Sequence, residues 1–225
     1  MNTGLKSRFP AAKDALPAVH PSGLAGVGRR ERRAAETRLK LFRCALQLFA
    51  EHGFSNVTVE DITEAADVGK GTFFNYFATK DHVLGVMAEI QLGKVGEAVA
   101  QAAERKQTIH AVLHRLVLRL AEEPGRSPRL ARAMISSFLA SASVRAIIER
   151  NMAAGAKAIA EVVAAGQERG EINRRLNREK VAIQFMQSVM GTILLWSLHG
   201  KPALKIRIED SFQHFWRSIA ISGRE

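Results

Sequence analysis

Cysteine is almost absent: Cys44 is the one cysteine in 225 residues. An internal disulfide is therefore excluded, which fits a reducing compartment. Long apolar runs are scarce too. Residues 189–198 form the longest candidate, broken by Gly191, Thr192 and Ser197, and fall short of the roughly 18 residues that cross a bilayer. The N-terminus shows no continuous apolar segment of the signal-peptide kind, so the expectation is a cytoplasmic protein without a membrane partner. Catalytic patterns are missing as well: there is no HExxH, no zinc-type cysteine cluster and no Gly-x-Ser-x-Gly elbow. Neither an enzyme nor a cofactor or metal is expected. No convincing strand and no internal repeat can be found, which leaves an all-α fold.

What the chain does have is an ordinary globular composition, 47% hydrophobic and 24% charged, at a length that supports a sizeable core. It also has a net charge of +11 and a pI near 10.4, which permits nucleic acid or another acidic partner without locating the contact. The excess is not concentrated at the N-terminal end: residues 1–83 carry +3 and residues 84–225 carry +8. Local density is more informative. Residues 29–43 hold seven basic side chains (Arg29, Arg30, Arg32, Arg33, Arg38, Lys40, Arg43) against Glu31 and Glu36.

Residues 1–28, with Pro10, Pro17 and Pro21 and no sustained period, read as a disordered tail. The glycines of GLAGVG, residues 23–28, lack the preceding strand that a phosphate-binding loop needs and read as linker. From residue 30 to 52 the spacing of Leu41, Ala45, Leu48 and Phe49 predicts a helix, ended by Gly53, with Phe54 folding back onto its last turn and Cys44 packed in an apolar setting. Thr58 then caps a second helix over 59–66, with Asp61 completing a capping box and Ile62 and Ala66 facing inward. Asp67 occupies the turn, Val68 fills the angle, and a third helix runs over 70–77 with Phe73 and Phe77 toward the core.

The outer face of that third helix suits the DNA major groove. Gly71 lets the first turn come close, Lys70 brings charge, and Thr72 offers a hydroxyl to a phosphate or a methyl to thymine. Asn75 has the chemistry to pair with a base edge, while Tyr76 and Lys80 lie where phosphates are in reach. The helix starts favour anions. Arg29 to Arg33 are expected to form an arm toward the backbone or minor groove. Each residue alone is more often plain surface, but three linked helices with this order of features are an uncommon combination.

The run ALQLFAEHGFSNVTVEDITEAADVGKGTFFNYFATKDHVL resembles the DNA-binding domain of tetracycline-repressor (TetR) family regulators, across residues 38–87. The resemblance implies backbone contacts from Thr58, Tyr76 and Lys80, and contacts at or near bases from Lys70, Gly71, Thr72, Phe74 and Asn75. This chain has Thr63 where the family usually has Ala, Asp67 for Gly, Gly69 for Ser and Phe74 for Tyr, and Glu60 puts a negative charge near the DNA side.

Further helices are expected over 81–105 with Thr79 as cap, then 108–122, 128–140, 144–169, 178–199 and 206–221. In the resembled family the larger C-terminal region binds a small molecule and forms the dimer. Val181, Phe185, Val189, Ile193 and Trp196 on one helix, with Ile208, Phe212, Phe215, Trp216 and Ile219 on the last, make stripes that fit either a four-helix interface between two subunits or an internal core. Met134, Phe138, Met152, Phe185, Met186 and Met190 are the candidates for an adaptable apolar pocket, although each alone reads more simply as core. His110 and His114, four apart, read as solvated surface histidines, since two ligands without a third make a poor metal site.

The expected organisation is a tail over 1–28, a helix-turn-helix domain over 29–83 and a regulatory and dimerisation domain over 84–225. The expected function is a homodimeric repressor of transcription that binds a palindromic operator in double-stranded DNA and answers a small apolar effector, nucleoid-associated when bound. The alternatives are a DNA-bound protein that engages another protein instead of an effector, and a helical small-molecule binder or enzyme with a vestigial DNA motif.

Overall fold

A computed structural model describes residues 28–221, the side chains of Leu139 and Ala140 excepted. The expected tail and its GLAGVG segment therefore lie outside the described residues, apart from Gly28. The described chain is all-α: α1 (Arg29–His52), α2 (Val59–Ala65), α3 (Lys70–Phe74), α4 (Lys80–Glu104), α5 (Ile109–Leu120), α6 (Pro128–Ala140), α7 (Ala142–Glu168), α8 (Arg178–His199) and α9 (Leu204–Ile219), with short 3-10 turns at Phe54–Asn56 and Pro124–Arg126. Among the described residues the only extended pairing is an isolated antiparallel bridge between Ile172 and Ala220. It pins the end of α9 to the turn after α7.

Local chemistry accounts for most boundaries. Gly53 ends α1 at φ 82°, a conformation costly for other residues, and its N–H donates to Phe49 O at 2.9 Å. Phe54 does fold back, its ring edge-on to Phe49 at 5.0 Å. The capping box at α2 is complete: Thr58 Oγ1 accepts from Asp61 N at 3.2 Å, and Asp61 Oδ2 accepts from Thr58 N at 2.8 Å. Asp67 takes the left-handed turn at φ 50°. Thr63, buried, donates its hydroxyl to Glu60 O at 3.0 Å, so the departure from alanine leaves no orphan group.

Several expected boundaries shift. The third helix stops at Phe74, not at residue 77, because the N–H groups of Tyr76 and Phe77 both turn to Phe73 O, each at 2.9 Å, which tightens and closes the helix. Thr79 precedes α4 but its side chain makes no capping bond. Instead Asp81 Oδ2 accepts from the hydroxyls of Ser141 and Ser143 at the start of α7. Arg105, at φ 55°, ends α4 one residue early. Arg29 to Arg33 form the first turns of α1 and not an extended arm. Glu31 at the third helical position returns a bond to Gly28 N, and a run rich in Arg, Ala and Glu has high helix propensity.

The apolar side chains gather into two clusters. One joins α1, α2 and α3 to the first turns of α4 and to Leu130, Ala133 and Val144, with Phe42, Phe49, Phe73 and Phe77 almost fully buried. Cys44 and Val68 pack on its edge, and burial pushes the Cys44 thiol pKa up, against the opposing pull of Lys40. The other fills the space between α4, α5, α7, α8 and α9. α4 belongs to both, which ties the helix-turn-helix to the rest of the molecule.

The α8 stripe and the α9 residues Ile208, Phe212, Phe215 and Ile219 are buried in this second core. They are therefore not a surface for a second subunit, and Trp216 is half-buried against the same cluster. The faces turned outward carry Ile183, Leu194, Leu195, Leu198 and Ile206 instead. α8 is also long and apolar enough to cross a membrane, which the broken run of residues 189–198 hides. A helix averages over its small and hydroxyl residues, and here one apolar side lies in the internal core while Ile183, Leu194, Leu195 and Leu198 face outward.

Candidate nucleic-acid interface and the cavity behind it

The candidate interface is built by the α2–α3 corner, which the buried Ile62, Ala66 and Phe73 hold against α1. On α3 the side chains of Lys70 and Phe74 are exposed and Thr72 is half-buried, and Asn75 at the helix's C-cap is exposed. Phe74 presents 53% of its surface, with its ring edge against Phe73 at 5.6 Å. Nothing lies within 4 Å of where a Cβ on Gly71 would sit, so this position leaves open space on the outer face. Four of these residues lie on one short helix and Asn75 caps its end; the helix's free N–H groups begin at the uncapped Gly69 and favour an anion.

Lys70 is not alone there. Its ammonium pairs with the Glu60 carboxylate of α2, both side chains more than half exposed. An anion approaching α3 must compete with Glu60 for that charge. Thr58 is exposed, but its hydroxyl is engaged in the capping box. Tyr76 is half-buried against the first core.

Lys80, the first residue of α4, reaches back across the corner. Its Nζ donates to Phe54 O at 2.8 Å and to Val57 O at 2.9 Å and lies 4.5 Å from the centre of the Phe54 ring. The side chain braces the junction between α1 and α2, leaving one N–H of the ammonium for an outside partner. Burial lowers its pKa, with Asp81 and Asp61 opposing. The sequence offered no signal for this brace, because the partners are backbone carbonyls more than twenty residues upstream.

Behind the interface, α4, α6, α7 and α8 line a partly open cavity of about 170 Å³. Met134, Phe138, Met152, Phe185, Met186 and Met190 all lie on its wall, together with Leu84, Met87, Gln91 and Asn151. None of the lining side chains is charged. Next to it runs a polar relay that the sequence did not reveal. Lys94 and Glu123, 6% and 8% exposed, meet at 2.5 Å, and Gln91 Nε2 donates to the same carboxylate at 3.1 Å.

The two histidines are not solvated surface groups. Both are half-buried between α5 and α9 and stack at 5.9 Å. His110 packs on Phe212 and Trp216, and His114 Nε2 lies 2.6 Å from Glu209 Oε1. Burial lowers the His110 pKa, the charge of His114 adds to that, and Glu171 and Glu209 oppose it. No group of three or more metal-binding side chains is assembled among the described residues.

Residues 41–87 match the family described as "Bacterial regulatory proteins, tetR family". A transcriptional regulator of Streptomyces glaucescens, TcmR, is 40% identical over 79 residues, which cover 35% of this chain and 33% of that protein. The chain thus aligns with about a third of the length of this curated relative. The fold of Thermus thermophilus FadR, a transcriptional repressor solved in complex with lauroyl-CoA, superposes with a TM-score of 0.60 at 26% identity, covering 83% of this chain and 97% of that one. SmeT, the repressor of a Stenotrophomonas maltophilia multidrug efflux pump, superposes with a TM-score of 0.67 at 18% identity, covering 83% and 91%.

Proposed function

We propose that this chain, a member of the TetR family of bacterial regulatory proteins, is a cytoplasmic repressor that binds a palindromic operator as a homodimer and releases it when a small apolar effector fills the cavity. The observation that carries the reading is the open face of α3, where Lys70, Gly71, Thr72 and Phe74 stand together with the C-cap Asn75 on an element short enough to enter a major groove. In this reading those five meet bases or nearby phosphates, and Tyr76, Thr58 and the remaining N–H of Lys80 meet the backbone. Arg29 to Arg33, exposed on the first turns of α1, add phosphate contacts that are not sequence-specific. Residues 29–83 serve DNA binding and residues 84–225 regulation and assembly.

A homodimer is supported by the outward apolar face of α8. Leu194, Leu195 and Leu198 are 43–58% exposed, with Ile183 at 48% on the same helix and Ile206 at 53% on α9. Exposed apolar patches of this kind mark interfaces, and two copies of α8 and α9 make a four-helix contact. Gly191, with nothing within 4 Å of an added Cβ, allows close approach. A two-fold dimer then places two copies of α3 in successive major grooves, about 34–36 Å apart.

The effector acts by preferring one spacing of these helices, and its effect is bounded by that difference in affinity. α4 is the physical link, since it lines the cavity with Leu84, Met87 and Gln91 and holds the DNA-side corner through Lys80. The test is the double substitution Leu195→Glu with Leu198→Glu. Sedimentation is expected to change from dimer to monomer and operator affinity to fall by at least about tenfold. A variant that stays dimeric and binds with wild-type affinity contradicts this assembly.

A further inference from the structure

One wall of the cavity carries an unmet hydrogen-bond acceptor. Gln91 Oε1 is buried and has no partner. The amide cannot be turned round to remove the problem. Its Nε2 donates to Glu123 Oε2 at 3.1 Å and lies 3.5 Å from Leu120 O, and both of those are acceptors that require a donor. Glu123 is itself held by Lys94 Nζ at 2.5 Å, and Lys94 also donates to Arg119 O at 2.6 Å. The orientation of Gln91 is thus fixed from behind by a nearly buried ion pair. Asn151, the other amide on the cavity wall, is fixed in the same sense: its Nδ2 donates to Ile147 O at 2.9 Å, which leaves Oδ1 as what it can offer. Gln91 and Asn151 are the two polar side chains on an otherwise apolar cavity wall, and each has its amide nitrogen engaged elsewhere.

We infer that the ligand of this cavity is an uncharged, mainly apolar molecule of about the size of one substituted ring that carries a hydroxyl or N–H donor, and that Gln91 Oε1 accepts from that donor. This deepens the effector reading above and rests on it. The size follows from the cavity volume of about 170 Å³, close to the roughly 150 Å³ that holds benzene in a known engineered cavity, with Met134, Met152, Met186 and Met190 able to re-pack around different shapes. The absence of charge follows from the wall. A carboxylate entering here finds no charged side chain on the wall, and the Lys94 ammonium beside it is already paired with Glu123. A desolvated anion without a partner is strongly disfavoured. A donor in the ligand satisfies a buried acceptor that otherwise has none, so an analogue lacking the donor is rejected more than its apolar area suggests.

The experiment is calorimetric titration of the full chain with 4-ethylphenol, 4-ethylanisole, 4-ethylbenzoate and lauroyl-CoA, on the wild type and on Gln91→Leu. The wild type is expected to bind the phenol about tenfold more tightly than its methyl ether and to bind the benzoate more weakly than either. In Gln91→Leu the phenol and ether are expected to bind equally, with ether binding retained as proof that the cavity is still formed. Equal binding of phenol and ether by the wild type, a phenol preference that survives in Gln91→Leu, binding of no small probe, or tightest binding of the benzoate or of lauroyl-CoA each overturns the inference. Adding the probes to a complex with duplex DNA separates the two readings. Release of DNA by phenol and ether alike leaves the effector reading standing without the ligand chemistry. Selective phenol binding that leaves the complex intact does the reverse.

Discussion

Replacing Lys80 with Met removes a brace and keeps most of the apolar stem. The ammonium donates to Phe54 O at 2.8 Å and Val57 O at 2.9 Å. Buried bonds to a charged group are worth about 1.5–3 kcal/mol each, but this side chain is only partly buried, and water replaces part of the loss. About 1 kcal/mol per bond, with a few tenths from the Phe54 ring at 4.5 Å, gives about 2 kcal/mol. The loss falls on the helix-turn-helix. Tryptophan fluorescence is a poor reporter, because Trp196 and Trp216 both lie in the other core. Hydrogen exchange is suitable. The Ile62 N–H bonded to Thr58 O and the Ala66 N–H bonded to Ile62 O are expected to exchange about 30-fold faster in Lys80→Met, the equivalent of 2 kcal/mol. Lys80→Arg, which keeps the donors, is expected to restore most of the protection. An acceleration below about threefold in Lys80→Met refutes the brace.

The Glu60–Lys70 pair predicts that Glu60→Gln tightens DNA binding by about three- to tenfold at low salt, as Lys70 becomes free for phosphate, while stability changes by less than about 0.5 kcal/mol; unchanged or weaker binding in a fluorescence-anisotropy titration counts against that competition. At His110 the pKa is lowered in the fold, so the unfolded chain binds more protons in the window just below the ordinary histidine value of about 6.5. Stability from this group is present above that value and is lost as pH falls through the window. His110→Leu is therefore expected to flatten the dependence of Tm on pH between about 7.5 and 5.5, and parallel curves for the two proteins contradict the assignment.

Much of the DNA-side corner was legible in the sequence because its determinants are local. Thr58 and Asp61 are three apart, Asp67 sits where the chain must turn, and Phe73 and Phe77 repeat at helical spacing. The spacing of Phe73 and Phe77 predicts a longer third helix than forms, because its end depends on two N–H groups converging on one carbonyl, which no residue type announces. The brace made by Lys80 is equally silent in the sequence, because both of its partners are backbone carbonyls. In α8 the periodicity of Val181, Phe185, Val189, Ile193 and Trp196 was correctly apolar. A stripe does not say whether its partner is in the same chain, however, and Leu194, Leu195 and Leu198 form a second stripe beside it. The six cavity residues were readable as a group, because methionine and phenylalanine cluster in helices that pack together. Gln91, Lys94 and Glu123 were not, since the relay joins α4 to a turn about thirty residues later. His110 and His114 look like surface groups in the sequence because the aromatic face that covers them lies on α9.

In the proposed assembly α3 reads duplex DNA from a two-fold dimer. Selection of bound duplexes from a random pool by the full chain tests it most directly. The expected result is enrichment of an inverted repeat whose half-site centres lie about one helical turn, 10–10.5 base pairs, or a multiple of it apart, and loss of that enrichment when Thr72 and Asn75 are both replaced by Ala. Recovery of no enriched sequence, or of the same sequence by the Thr72→Ala, Asn75→Ala protein, contradicts it.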